Sequence, residues 1–223
     1  MHYKKLIYAL LGSLIFMQAT QAARFKENVD FQRVSPSNLI GEAPKDKVQI
    51  VEFFLYSCPH CFELEPKLEK WVEAHKDQVE FKRVPAVITP NWVPLAKAYY
   101  IAEKLGVLDK SHHGLFESIN KDKEVYLNEY KLSEYFATLG INPDVFIHEY
   151  DSEYIMKKVS DARIMSVNYA FRGVPAVIIN NEFKTAPFYT KNQKEMLDVM
   201  DYLLDSVLQG KGYQAPSLIR RLN

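Results

Sequence analysis

Only two cysteines occur in the 223 residues, and they stand three positions apart in the run Cys58-Pro59-His60-Cys61. A bridge across so short a loop takes little freedom from the unfolded chain, so it makes a poor staple and draws attention to its chemistry. Ser57 precedes the run, and Phe62, Leu64, Leu68, Trp71 and Val72 follow at helical spacing through about residue 76. The pair therefore opens a helix. There Cys58 meets unpaired backbone amides and the positive end of the helix dipole, both of which favour a thiolate. Cys58 is the expected nucleophile, and a protonated His60 adds positive charge near its sulfur. Pro59 suits the first turn, where its missing amide proton costs nothing. Cys61, one turn further in, is expected to be shielded and to act as the resolving thiol. A lowered Cys58 pKa stabilises the dithiol and makes the disulfide a stronger oxidant.

Two other chemistries compete for the same motif. A structural zinc site needs four ligands, and His2, His75, His112, His113 and His148 show no pairing spacing that completes one. An inert structural disulfide stays open, because a lone Cys-x-x-Cys is only moderately specific. The exchange reading itself asks for no cofactor and no metal.

The elements around the motif follow from hydrophobic period. Val48 to Leu55 is rich in β-branched and aromatic residues and reads as a buried strand interrupted only by Gln49 and Glu52. The motif helix comes next, with Pro66 inside it as a source of a kink. A second strand is expected from Val79 to Ile88. From Asn91 to about Tyr169 the pattern turns helical, with helices expected at Val93 to Leu105, Gly114 to Asn120, Leu132 to Leu139 and Pro143 to Ala170. Gly106, Asp109, Gly140 and Asn142 punctuate that stretch. Strand character returns at Pro175 to Ile179, with the turn pair Asn180-Asn181 and a short strand near Phe183. An amphipathic helix from about Lys191 to Gln209 closes the pattern. The pentapeptide Val-Pro-Ala-Val-Ile occurs at 84–88 and at 174–178, but its flanks differ and no repeat is inferred.

Glu52 stands six residues before Cys58 in the first strand. Buried there, its carboxyl has a raised pKa and serves to relay protons to Cys61; on an edge strand it merely faces solvent. Lys82 or Arg83 in the second strand is the basic partner, Lys82 being carried forward with Glu52 as the relay pair although alternation does not choose between them. Val174-Pro175 begins a later strand. An X-Pro bond is the one peptide link for which cis is cheap, and a cis bond turns the Val174 amide and carbonyl outward, where an extended peptide pairs with them; an ordinary trans proline is the alternative.

Composition bounds the rest. At 48% hydrophobic and 25% charged the chain is ordinary globular material. Met1 to Lys5 is basic, Leu6 to Met17 is almost wholly apolar, and Gln18 to Ala22 is small and polar, the order of a cleaved secretory signal peptide over residues 1–22. The apolar run is shorter than the roughly 20 residues a membrane span needs. Removing Lys4 and Lys5 with the leader leaves 26 basic residues against the 28 acidic, a balance that argues against nucleic acid. Both cysteines lie in the exported part, where a disulfide persists.

Glu52-Phe53-Phe54, then Cys58-Pro59-His60-Cys61, the helical stretch, and Arg172-Gly173-Val174-Pro175-Ala176 before the last hairpin together resemble the bacterial periplasmic thiol:disulfide oxidoreductases of the DsbA family. The likeness covers nearly all of the exported chain in order. It implies an α/β thioredoxin-like fold at 23–89 and 170–223, with an inserted all-helical domain at 90–169. It also implies Cys58 reactive, Cys61 resolving, and a cis bond at Val174-Pro175. The function implied is oxidation of newly exported, reduced and unfolded proteins in the periplasm by a monomer, with reoxidation by a quinone-coupled membrane partner of the DsbB type. A disulfide isomerase, or a peptide-binding chaperone with a structural bridge, is the alternative.

Overall fold

The computed structural model describes residues 24–41, 43–121, 128–169 and 172–210. The leader expected at 1–22 lies outside them. Five strands form one mixed sheet: β1 (Gln32–Arg33), β2 (Val48–Phe54), β3 (Val79–Pro85), β4 (Ala176–Ile179) and β5 (Phe183–Thr185), in the order β1-β5-β4-β2-β3. β2 runs parallel to β3 and antiparallel to β4, and β5 pairs antiparallel with both β4 and β1. Every residue of β2 is buried. Glu52 thus sits on an interior strand, and the edge-strand reading of it fails.

Besides two single-turn 3-10 helices at Asn38–Ile40 and Pro90–Trp92, the described residues form seven α-helices: α1 (Pro59–Ala74), α2 (Val93–Lys104), α3 (Leu108–Lys121), α4 (Glu129–Ala137), α5 (Pro143–Tyr150), α6 (Glu153–Asn168) and α7 (Gln193–Leu208). The five from α2 to α6 are inserted between β3 and β4. Strand, helix, strand, helical insertion, hairpin and helix is the thioredoxin-like arrangement with its helical insert.

Alternation along the strands divides the core. Val48 and Ile50 of β2, with Val79 of β3 and Val177 and Ile179 of β4, pack against Leu64, Leu68 and Trp71 of α1 and Met196, Met200 and Leu203 of α7. Val51 and Phe53 turn the other way and join Ile178 in a second cluster that continues into the insert through Ala98, Tyr99, Phe116, Phe136 and Phe146. The sheet and the insert therefore share one core on that side. Period-2 geometry places Glu52 on the same face as Ile50, toward α1.

Several boundaries differ from the sequence reading. The helix expected from Pro143 to Ala170 is two helices, α5 and α6, separated at Asp151 and Ser152. Ser152 caps α6, its side chain accepting from the Ile155 amide, and Asp151 is held by Lys97 Nζ at 2.5 Å. α3 begins at Leu108, not Gly114: Asp109, taken as punctuation, lies in the first turn, where an acid complements the helix dipole. β3 stops at Pro85, and beyond it the Val87 amide donates to Ser166 Oγ of α6 at 3.1 Å instead of extending the strand. β1 is two residues long, too short to show a period. Helix α1 continues through Pro66.

Removing the Ser152 cap by Ser152→Ala should lower stability by about 1 kcal/mol, while Ser152→Asp retains most of it. Denaturant unfolding of the two variants checks this, as a midpoint shift at unchanged slope.

Candidate active site

Cys58 stands at the N-cap of α1 in an extended conformation, with Pro59 at the first helical position. Its carbonyl accepts from the Cys61 and Phe62 amides, each at 3.1 Å. Both cysteines are free thiols, Cys58 half-buried and Cys61 fully enclosed. The Cys61 thiol and the backbone amides of Cys61 and His60 lie where they favour a charged Cys58 sulfur. Together with the His60 charge, and against partial burial, they pull the Cys58 pKa from 9.0 down to about 6. The neighbouring thiol is the largest of these influences and the His60 charge the smallest of those identified. The His60 side chain is exposed and sits 3.5 Å from Glu63. Its carbonyl is gripped by Gln193 Nε2 at 2.9 Å, which ties the start of α7 to the motif.

Cys61 is driven the other way. Burial comes first, then its donation to Cys58 and the nearby negative charges of Cys58 and Glu52, all of which push its pKa well above that of an ordinary thiol. Two sulfurs one helical turn apart thus have opposite preferences for charge.

On the far side of Cys58, its sulfur lies 3.4 Å from the carbonyl oxygen of Val174. The Val174-Pro175 peptide is cis. Val174 and Pro175 of the loop before β4, His60 of α1 and Phe188 border a groove of about 770 Å³.

Glu52 has no solvent exposure. Burial, reinforced by the negative charge of Glu65 and only partly relieved by Arg83, raises its pKa to about 8. The basic neighbour is Arg83, whose Nε lies 3.3 Å from Glu52 Oε2 without hydrogen-bond alignment. Lys82, carried forward from the sequence as the partner, does not fill that place. In the parallel register Glu52 is opposite Arg83 and Val51 is opposite Lys82, so Lys82 projects to the other face of the sheet, where it borders a separate groove with Val51 and Tyr100.

Three further residues at the site were not singled out from sequence. Glu65 of α1 is buried and bonded to Arg83 Nη2; His112 Nε2 of α3 lies 3.2 Å from Glu65 Oε1; Tyr56 Oη lies 2.7 Å from His112 Nδ1. Glu65 did carry a signal, standing four residues after Cys61 and within the Cys61, Leu64, Leu68 stripe. His112 carried none, since α3 was expected to start after it.

Sulfurs poised in opposite charge states at the start of a thioredoxin-fold helix suit disulfide exchange with outside thiols, and the class so defined is thiol:disulfide oxidoreductase. A family model, the DSBA-like thioredoxin domain, matches residues 49–198. The thiol:disulfide interchange protein DsbA of Burkholderia cepacia is 33% identical over 212 residues, spanning 93% of this chain and 99% of that protein. Among solved structures, DsbA from Xylella fastidiosa matches with a TM-score of 0.71 at 29% identity, covering 80% of this chain and 95% of that one. DsbA from Pseudomonas aeruginosa matches at 0.77 with 25% identity, covering 85% and 98%. The chain belongs to the DsbA family. It is a protein-disulfide oxidoreductase, which sets aside the chaperone with an inert bridge.

A group whose folded pKa is depressed stabilises the fold above its unfolded pKa, and that contribution is lost as pH falls through the folded value. For Cys58 the dithiol form should therefore gain stability from about pH 6 upward to about 9 and lose the gain below 6. Thiolate absorbance near 240 nm should show one transition close to pH 6, absent in Cys58→Ser; a single transition near 9 would exclude the stabilised thiolate.

Proposed function

We propose that this protein donates a Cys58-Cys61 disulfide to reduced, newly exported proteins. A substrate thiolate attacks Cys58 Sγ, the Cys58-Cys61 bond breaks, and Cys61 leaves with the electron pair. A second substrate thiolate then attacks the substrate sulfur of the mixed disulfide and expels Cys58 as a thiolate. The substrate loses two electrons and two protons, and the protein ends as the dithiol. The observation that carries this reading is the low-pKa, half-exposed Cys58 beside an enclosed Cys61: a stabilised leaving thiolate speeds release and favours the reduced protein.

Glu52 is the proton relay for Cys61, with Arg83 as its basic neighbour. In the oxidising direction its acid form protonates the departing Cys61 sulfur; when Cys61 instead expels a bound partner, the carboxylate takes the thiol proton. A pKa raised to about 8 suits both tasks near neutral pH. Pro59 shapes the first turn, and His60 adds charge beside Cys58. The groove beside Val174 and Pro175, with exposed Phe188 and the cations of Lys67 and Lys191 at its rim, suits an extended, unfolded segment.

Membership of the DsbA family supports a periplasmic location, reached through cleavage of the leader at 1–22, and reoxidation by a quinone-coupled membrane protein of the DsbB type. Among the described residues no helix is long and apolar enough to cross a membrane. A monomer suffices, since both sulfurs and the groove come from one chain.

Equilibration with glutathione should find the protein an oxidant, and the dithiol form should unfold at a higher denaturant concentration than the disulfide form. Cys61→Ser should accumulate a mixed disulfide with a reduced, unfolded substrate, and Cys58→Ser should lose all oxidase activity. A disulfide form more stable than the dithiol would overturn the direction proposed.

A further inference from the structure

Behind the cysteines lie more ionisable groups than a dithiol exchange uses. Glu52, Glu65 and Glu69 converge on the one guanidinium of Arg83. Glu69 is exposed, but Glu52 and Glu65 are enclosed, and both oxygens of Glu52 and one of Glu65 lack a hydrogen-bond partner. A single cation does not support two buried carboxylates as two anions, so the pair holds one proton in common near neutral pH.

The better-supported carboxylate stays ionised. Glu65 has an aligned hydrogen bond from Arg83 Nη2 and, beside it, His112 Nε2 at 3.2 Å from Oε1 outside hydrogen-bond alignment, whereas Glu52 has only the unaligned Arg83 Nε at 3.3 Å. The tautomer of His112 follows from the carboxylate it faces. The 2.7 Å contact between Tyr56 Oη and Nδ1 fits either tautomer, so the ring proton goes to Nε2, the nitrogen nearer the Glu65 oxygen, and the Tyr56 hydroxyl then donates to Nδ1. The opposite tautomer would set a nitrogen lone pair against a carboxylate. We propose that His112 is a positioning residue for the exchange: by holding Glu65 as the anion, it leaves the shared proton on Glu52.

This inference rests on Glu52 being the relay for Cys61. The groups that face the pair are Tyr56 just beyond β2, Arg83 from β3, Cys61 and Glu69 from α1, Tyr99 from α2 and His112 from α3; β4 offers only Val177 opposite Glu52. The shifts agree with the assignment. Burial opposes ionisation of Glu65, yet His112 and Arg83 hold it below the usual carboxylate value, while burial lowers His112 so that the ring is a neutral donor.

In the reduced full chain, carbon-13 NMR of glutamate carboxyls reads the Glu52 midpoint directly, with Glu52→Gln assigning the signal. His112→Leu takes the donor from Glu65, so the proton moves to Glu65 and the Glu52 midpoint falls by about one pH unit, a tenfold loss of proton affinity. Glu65→Gln lowers it too, by giving Arg83 to Glu52 alone, and the double variant shows no further fall. His112→Gln, which keeps an amide donor, recovers most of the original midpoint. His112→Asn, polar but too short to reach Glu65, reproduces the fall and serves if the leucine variant does not fold. The pH profile for release of a Cys58-bound mixed disulfide by Cys61 should move with the Glu52 midpoint. An unchanged midpoint in folded His112→Leu or His112→Asn, or full additivity in the double variant, overturns the proposal. Release untouched in Glu52→Gln would instead overturn the relay, with the shift in His112→Leu still reporting where the shared proton sits.

Discussion

A negative charge on one sulfur, held at the first turn of α1, is the interaction around which the site is organised. The first turn favours the charge through the amides of His60 and Cys61 and the Cys61 thiol, and all three influences depend on Cys58 standing outside the helix while Cys61 stands inside it. Strand β2 delivers the chain to that point, and the carbonyl of Val174 closes the other side. Because the donors are mostly backbone, they need no reorganisation when the charge forms.

The same turn treats its two sulfurs unequally. Cys58 is only half-buried and its charge is favoured by the turn; Cys61 is enclosed by the core and faces the negative sulfur of Cys58. An electron pair leaving on Cys61 therefore requires a proton, and an electron pair leaving on Cys58 does not. That difference is what couples the sulfur chemistry to the carboxyls beneath it.

Burying Glu52 and Glu65 together costs more than one guanidinium restores, and removing either partner from such a cluster leaves an uncompensated charge. The cluster is assembled from four elements: Glu52 on β2, Glu65 on α1, Arg83 on β3 and His112 on α3. The insert is thereby part of the electrostatics of the thioredoxin-like unit and not merely packed on it, since α3 contributes His112 and the continuous core holds its ring against Phe54 and Phe116.

Much of the fold was legible in local pattern. β2, α1 and α7 were placed closely because each presents a long apolar run or stripe, broken in β2 only by Gln49 and Glu52, and Cys-x-x-Cys at a strand-to-helix switch located the sulfurs. The choice of Arg83 over Lys82 was not legible. It depends on which parity of β3 faces α1, and that was decided when the parallel register set Glu52 against Arg83. The start of α3, and with it His112, was hidden because Asp109 serves a helix first turn as well as a loop. The two copies of Val-Pro-Ala-Val-Ile make the same point: among the described residues only Val174-Pro175 is cis, though Val84-Pro85 has the same neighbours on its C-terminal side. Period and motif are properties of neighbouring residues, so the chain alone determined the elements and the reactive pair. Register, burial and the meeting of four separated ionisable side chains arise from contacts between distant segments, and only packing in three dimensions decides those.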